Sequence, residues 1–303
     1  MKLTYFKGDP PNFGDELNAW IWHELLPPGF LDDDPDTLFL GIGSIIQDIY
    51  PKAARKVVVG SGYSGAYSSR PDLHDGTWDV RFVRGPETCR LLGLDPALAI
   101  ADAAILLRAV DLPEPARGIG AAFMPHYESV ERGDWERVCA AAGVHFLDPT
   151  RPTKELLAEI RGARVVVTEA MHGAIVSDAL RTPWIAVETM HHVHRSKWYD
   201  WAASLGMEHR PAQVFPSNLR ELWAHRTGRW GSGPRARAVF GSPLAAPANA
   251  AVRMASASSL ARLARAEPRL SDDARIEEAT DRALTALDAL VSDYRPAASA
   301  SRA

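Results

Sequence analysis

Short apolar runs in the first half of the chain each end in glycine or a polar turn and pass into a helix-spaced pattern, the grammar of a wound parallel sheet. Leu3 to Phe6 gives way to the loop Gly8 to Gly14 and to a helix beginning near Asp15, where Leu17, Trp20, Ile21, Leu25 and Leu26 recur at helical spacing. Thr37 to Leu40 meets Gly41-Ile42-Gly43-Ser44, Lys56 to Val59 meets Gly60-Ser61-Gly62, and Val80 to Val83 meets Arg84-Gly85-Pro86. Pro86 suits the first position of a helix running through Leu91 and Leu92.

Proline and charge between Val110 and Arg117 predict an interdomain linker, after which the pattern restarts. Gly118 to Phe123 reads as a strand, Asp134 to Ala142 as a helix, Val144 to Leu147 as a strand and Lys154 to Arg161 as a helix. Arg164 to Val167 is a β-branched, buried strand that enters the turn Thr168 to Gly173. A helix through Leu180 and a strand from Trp184 to Val187 follow. After about residue 224 Ala, Arg, Ser, Gly and Pro dominate, which predicts a loose connection. Ile276, Ala283, Leu284, Leu287, Val291 and Tyr294 then predict an amphipathic helix from near Asp272 to Tyr294, packed on the body or on a second subunit. Pro296 to Ala303 is expected to be disordered. The expected organisation is an α/β chain with an N-terminal domain at 1–115, a second at 116–225, and a flexible connection with a C-terminal helix at 226–303.

A length of 303 residues with 46% hydrophobic content is enough for two cores. The formal charge of -4 removes the global electrostatic drive toward nucleic acid. Gly8, Asp9 and two prolines interrupt the first apolar run before a signal peptide could form, and no stretch approaches the roughly 20 apolar residues of a membrane span. Cys89 and Cys139 are far apart and lack metal-ligand spacing, so they read as buried thiols of a reducing, cytoplasmic compartment.

Polar and glycine residues gather at the carboxyl ends of the predicted strands, where helix N-termini favour an anionic ligand. Gly43, Ser44, Ser61 and Gly62 belong to this set, although glycine in such turns also has purely geometric uses. Neither turn carries the lysine of a P-loop. Asn12 and Asp15 stand just before a helix, either as caps or facing the cleft toward sugar hydroxyls. Arg84, at a strand end, could grip a carboxylate or phosphate through two N–H groups. His172, on a polar turn before a helix, is the leading acid/base candidate, with Glu169 to orient it or to act as a second acid/base. His126 ends a strand of the second domain. The run His191 to Asp200 mixes cations with aromatics. In it Arg195 and Lys197 are anion ligands and Trp198 or Trp201 either stacks on a sugar or fills the core. The close histidines lack the helix spacing and carboxylate base of a metalloprotease, so no metal is assigned.

Asn12-Phe13-Gly14-Asp15-Glu16-Leu17-Asn18, Val83-Arg84-Gly85-Pro86, Met124-Pro125-His126-Tyr127 and Glu169-Ala170-Met171-His172-Gly173, continuing to Leu180 and Pro183-Trp184, resemble polysaccharide pyruvyltransferases, particularly those of succinoglycan-type exopolysaccharide assembly. The resemblance runs from about residue 1 to 225. It implies two Rossmann-like domains facing across a cleft, similar to GT-B glycosyltransferases, with phosphoenolpyruvate as donor, a saccharide acceptor, and no metal or other cofactor. Membrane-peripheral assembly and homo-oligomers are compatible with it. Many relatives carry Arg-Leu-His-Gly where this chain has Ala170-Met171-His172-Gly173, so the missing charge is expected from Arg84, Arg195 or Lys197. A sugar-nucleotide glycosyltransferase and a catalytically idle carbohydrate-binding protein are the competing readings.

Overall fold

A computed structural model describes residues 1–188, 195–229 and 233–294. The chain opens with β1 (Lys2–Thr4), α1 (Phe13–Glu16), α2 (Asn18–Leu25), β2 (Thr37–Leu40), β3 (Arg55–Val59), β4 (Trp78–Phe82) and α3 (Pro86–Leu92). The four strands pair in parallel in the order β1-β2-β3-β4. Both faces of this sheet are covered, which is why its strands read as continuous apolar runs. Phe39, Val57, Val59 and Phe82 enter one core, while Leu38, Leu40 and Val58 enter the other with Cys89 and Leu92. The single helix expected from Asp15 is two short helices meeting at Leu17, and the Asn18 amide donates to the Asp15 carbonyl at that junction.

A 3-10 segment, Ala103–Ala109, leads to β5 (Ala121–Met124), α4 (Tyr127–Arg132), α5 (Trp135–Ala142), β6 (His145–Phe146), α6 (Thr153–Gly162), β7 (Val165–Thr168), α7 (Met171–Ala179) and β8 (Trp184–Ala186). These strands form a second parallel sheet in the order β6-β5-β7-β8. Its order reverses at β5, and in open α/β sheets the ligand crevice opens at such a switch, here between the carboxyl ends of β5 and β7. One apolar cluster runs from Phe39 and Val57 through Ala103 to Leu107 and on to Ala122, Met124 and Val166, so the two sheets share a core. Helix α7 packs on the 3-10 segment at its middle.

The chain then forms α8 (Arg195–Ser204), α9 (Leu219–Thr227), α10 (Pro234–Phe240), α11 (Ala246–Leu263) and α12 (Asp273–Asp293). The loose connection expected after residue 224 is therefore largely helical. Alanine is the best helix former, so a composition that reads as loose forms a helix once it has a surface to pack on. Helix α11 packs on α5, burying Leu260 and Leu263 against Trp135, Val138 and Cys139. Helix α12 starts at Asp272, whose carboxylate accepts from the backbone N–H groups of Ala274 and Arg275. It buries Ile276, Ala283, Leu287 and Leu290 and packs on the 3-10 segment and on β4 of the first sheet. Arg81 pairs with Asp293 at 2.6 Å, and the Tyr294 hydroxyl donates to Asp79 at 2.8 Å. The terminal stretch Pro296 to Ala303 lies outside the described residues. Both cysteines are free and buried, and burial raises the thiols of Cys89 to about 11 and of Cys139 to about 12. No helix among the described residues is long and apolar enough to cross a membrane.

Leu290 is fully buried between α12 and the body. Leu290→Ala is expected to lower the unfolding free energy by about 2–5 kcal/mol, read from equilibrium urea curves. A loss within about 0.5 kcal/mol, the scale of an exposed substitution, would contradict the docking of α12.

Candidate functional site

The exit of β7 is knotted by one side chain. The Thr168 hydroxyl donates to the carbonyls of Met124 and Ala170 and accepts from the Ala170 N–H at 3.0 Å. The knot ends the strand and starts α7, so His172 falls in the first turn of that helix, at the switch between β5 and β7. Its imidazole lies against the backbone of Gly14, where a Cβ would overlap the ring, so only glycine gives the imidazole this seat. The motif at the start of α1 thus supplies the floor for the histidine at the start of α7. The Asn12 amide donates to the Asp15 carboxylate at 2.7 Å and makes no helix-capping bond. Burial raises the Asp15 pKa above the usual carboxylate range, while His172, Asn12 and Lys197 oppose the rise.

His172 Nε2 stands 3.7 Å from Asp102 Oδ2. Both atoms are buried and neither has a hydrogen-bond partner among the described residues. Asp102 is itself fixed, since its Oδ1 accepts from the Ala104 N–H at 3.1 Å at the start of the 3-10 segment. A buried imidazole nitrogen facing a buried carboxylate oxygen just beyond hydrogen-bond distance is an arrangement able to pass a proton.

Arg84, at the exit of β4, is fully buried against Gly62, where a Cβ would overlap the guanidinium. Its Nε donates to Asp200 Oδ2 at 3.1 Å and its Nη1 to the Ser44 hydroxyl at 2.8 Å, which leaves Nη2 without a partner among the described residues. Asp200 also accepts from the N–H groups of Glu87 and Thr88 at the start of α3, and from the Thr88 hydroxyl at 2.6 Å. Lys197 stands one helical turn before Asp200, with its Nζ 5.2 Å from the centre of the Tyr67 ring. Burial, and then the neighbouring Arg84 charge, lower the Lys197 pKa to about 8, with Asp15, Glu128 and Asp102 pulling the other way. Arg84, Lys197, His172, Asp15 and Asp102 therefore share one electrostatic neighbourhood.

Ser61 is fully buried and donates to the carbonyls of Leu40 and Gly41, tying two turns together. Gly43 lies beside the Asp15 carboxylate. Glu169 accepts from the His126 N–H at 2.9 Å and so joins the exits of β7 and β5, and the carboxylate within ion-pair reach of His172 is Asp102. His126 Nδ1 stands 3.4 Å from Glu128. Arg195 pairs with Glu188 at 2.8 Å, so its charge is met beside β8. Trp198 takes the core-filling role, buried with its ring 4.9 Å from His209 and 6.3 Å from Trp201. His191, His192 and His194 lie outside the described residues.

Sequence reasoning passed over Asp102. Its signal was a lone carboxylate inside the apolar run Ala99 to Leu107, because a charge in such a run must be fixed by something. Asn18, noted only within a motif, is another case. Its side chain accepts from Trp22 Nε1 and the Ile42 N–H and donates to the Ile42 carbonyl, which holds α2 to the turn after β2.

Residues 9–192 match the polysaccharide pyruvyl transferase family. The succinoglycan biosynthesis protein ExoV of Rhizobium meliloti (strain 1021) is 37% identical, with the similarity covering 97% of this chain and all of that protein. No solved structure matches. With the family match running from the loop before α1 to beyond β8 and a full-length relative beside it, the chain belongs to the polysaccharide pyruvyl transferase family.

Proposed function

We propose that this transferase moves the pyruvyl group of phosphoenolpyruvate onto a pair of sugar hydroxyls as a ketal, releasing phosphate, in the assembly of a succinoglycan-type exopolysaccharide. The observation that carries the reading is the buried Arg84 with a free Nη2, set with Lys197 around the His172–Asp102 pair. A small donor with a carboxylate and a phosphate needs two cations, and its methylene carbon needs a proton. The similarity to a succinoglycan biosynthesis protein supports the acceptor class. The two facing domains of a GT-B-like arrangement, with the donor and acceptor between them, belong to the same proposal.

In this mechanism Arg84 Nη2 and Lys197 hold the donor anions, and cations fixed before the reaction stabilise charge without reorganising. Ala170 stands where many relatives have arginine, and these two side chains supply the charge. His172 gives a proton to the methylene carbon, and the first sugar hydroxyl adds to the central carbon. Phosphate then leaves, the second hydroxyl closes the ketal, and of the two hydroxyl protons one replaces the proton donated and one leaves with phosphate. Asp102 holds the imidazole and offsets its positive charge. Asp15, whose raised pKa makes it a better proton acceptor than an ordinary carboxylate, takes a hydroxyl proton, with Asn12 holding it in place.

Incubation with phosphoenolpyruvate and oligosaccharide acceptors is expected to release phosphate and to add the mass of one pyruvate ketal. His172→Asn should lower that rate by roughly 10²-fold or more. Unaltered phosphate release in that variant would remove His172 from the mechanism, and protection from heat by a UDP-sugar but not by phosphoenolpyruvate would favour a glycosyltransferase.

Lys197 carries its charge below about pH 8 and loses it above. The affinity for phosphoenolpyruvate should therefore fall as the pH rises through that value, and Lys197→Met should weaken the donor at neutral pH and flatten the dependence. A KM for phosphoenolpyruvate that is constant across this range in the unmodified protein would contradict the assignment.

A further inference from the structure

The segment from Leu222 to Ala266 contains seven arginines and no aspartate or glutamate. The other 27 of the 34 Lys and Arg share the remainder of the chain with all 38 acidic side chains. An acidic protein therefore carries one strongly cationic segment, and an asymmetry of that kind marks a polyanionic partner. The structure shows what the segment builds. Phe240 packs on Trp223 with ring centres 6.0 Å apart, Asn249 donates to the Phe240 carbonyl at 2.7 Å, and the Leu219 N–H donates to Asn249 Oδ1 at 2.9 Å. These contacts fasten α9, α10 and α11 into one unit and fix which face remains outside.

The exposed side chains of the unit are apolar and cationic together. Leu244, in the turn between α10 and α11, is 94% exposed, Val239 is 63% exposed and Met254 is 57% exposed. Ala248, Ala251, Met254 and Ala255, at helical spacing along α11, are all exposed. Arg226, Arg229 and Arg235 of the same unit are also exposed. Where the unit meets the end of α4 and the start of α5 opens a cavity of about 370 Å³ lined by Arg132, Arg137, Arg220, Arg237 and Arg253, of which Arg220 and Arg237 pair with Glu131 and Arg253 with Asp134, so five guanidiniums face two carboxylates. An exposed leucine at a turn has no role in packing, and apolar tips among arginines are the pattern of an interfacial membrane contact.

We propose that the α9–α11 unit docks the enzyme on an anionic lipid bilayer. Leu244 and Val239 insert at the headgroup boundary, the exposed arginines neutralise the acidic headgroups, and the cavity accepts a lipid phosphate. A lipid surface is favoured because an acid-free, arginine-bearing segment with exposed leucine and valine complements an anionic bilayer in both charge and polarity. The inference is independent of the donor chemistry proposed above.

The test is co-sedimentation of the full-length protein with vesicles of phosphatidylcholine alone and of phosphatidylcholine with about one third phosphatidylglycerol. Binding is expected to the anionic vesicles and not to the neutral ones, and to be lost in about 0.5 M sodium chloride. Arg229→Glu with Arg235→Glu should weaken the binding roughly tenfold or more, and Val239→Ser with Leu244→Ser should do the same with the arginines intact. These side chains are exposed, so the urea curves of both variants should overlay that of the parent protein. Absence of binding to anionic vesicles, equal binding to neutral ones, or unchanged binding in both variants would overturn the proposal. So would a dimer, formed without lipid, that Leu244→Ser separates while no vesicle binding is seen.

Discussion

The carboxylate of Asp200 accepts four hydrogen bonds from the first half of the chain, one from Arg84, two from the start of α3 and one from Thr88, and the site depends on it. Burying a guanidinium and a carboxylate costs several kcal/mol each in lost hydration, on the order that an unpaired partner cannot survive. The backbone N–H groups of α3 help to offset that cost, because a helix N-terminus favours a negative charge. Asp200 lies on α8, beyond the second sheet, so this one carboxylate fastens α8 to the exits of the first sheet. Lys197 rides on the same helix one turn away and comes to stand near Arg84 as a consequence. The ion pair therefore does more than hold two segments together. It sets where the second cation of the site stands.

The glycines at the strand exits extend this logic. Gly62 makes room for the Arg84 guanidinium and Gly14 for the His172 imidazole. A phosphate-binding loop uses glycine so that backbone can approach an anion, whereas here the backbone approaches the protein's own charged and polar side chains. The anion in the proposed reaction would then meet Arg84, Lys197 and His172 as side chains held in advance, which is the arrangement that lowers a barrier with least reorganisation. The donor site needs no arginine at position 170 under this reading, because the cations come from β4 and α8.

Much of this was legible in the residues themselves. Apolar runs ending in glycine located the strands, since a strand buried on both faces leaves a continuous apolar run and its exit must turn. His172 and Arg84 stand out in the sequence because a polar motif at a strand end is where such folds bind ligands. Trp198 was ambiguous for a physical reason, as an indole beside cations suits a sugar platform and a core equally well until its burial is known. The tail was misread because alanine is scored as featureless by composition yet is the strongest helix former when another helix, here α5, covers it. Asp178 and Trp184 illustrate the remaining difficulty. Both stand in the family-like stretch around His172, but the Asp178 carboxylate accepts from Trp184 Nε1 and from the Ser271 N–H and hydroxyl, so their part is structural. Asp102 was hidden for the opposite reason, because its partner lies 70 residues away in sequence, at the exit of the second sheet.

A crystal structure of the protein with phosphoenolpyruvate tests the central claim most directly. The account predicts the carboxylate and phosphate in contact with Arg84 Nη2 and Lys197 Nζ, with the methylene carbon turned toward His172 Nε2. A donor bound elsewhere on the molecule, with the Arg84 guanidinium still untouched, would contradict it.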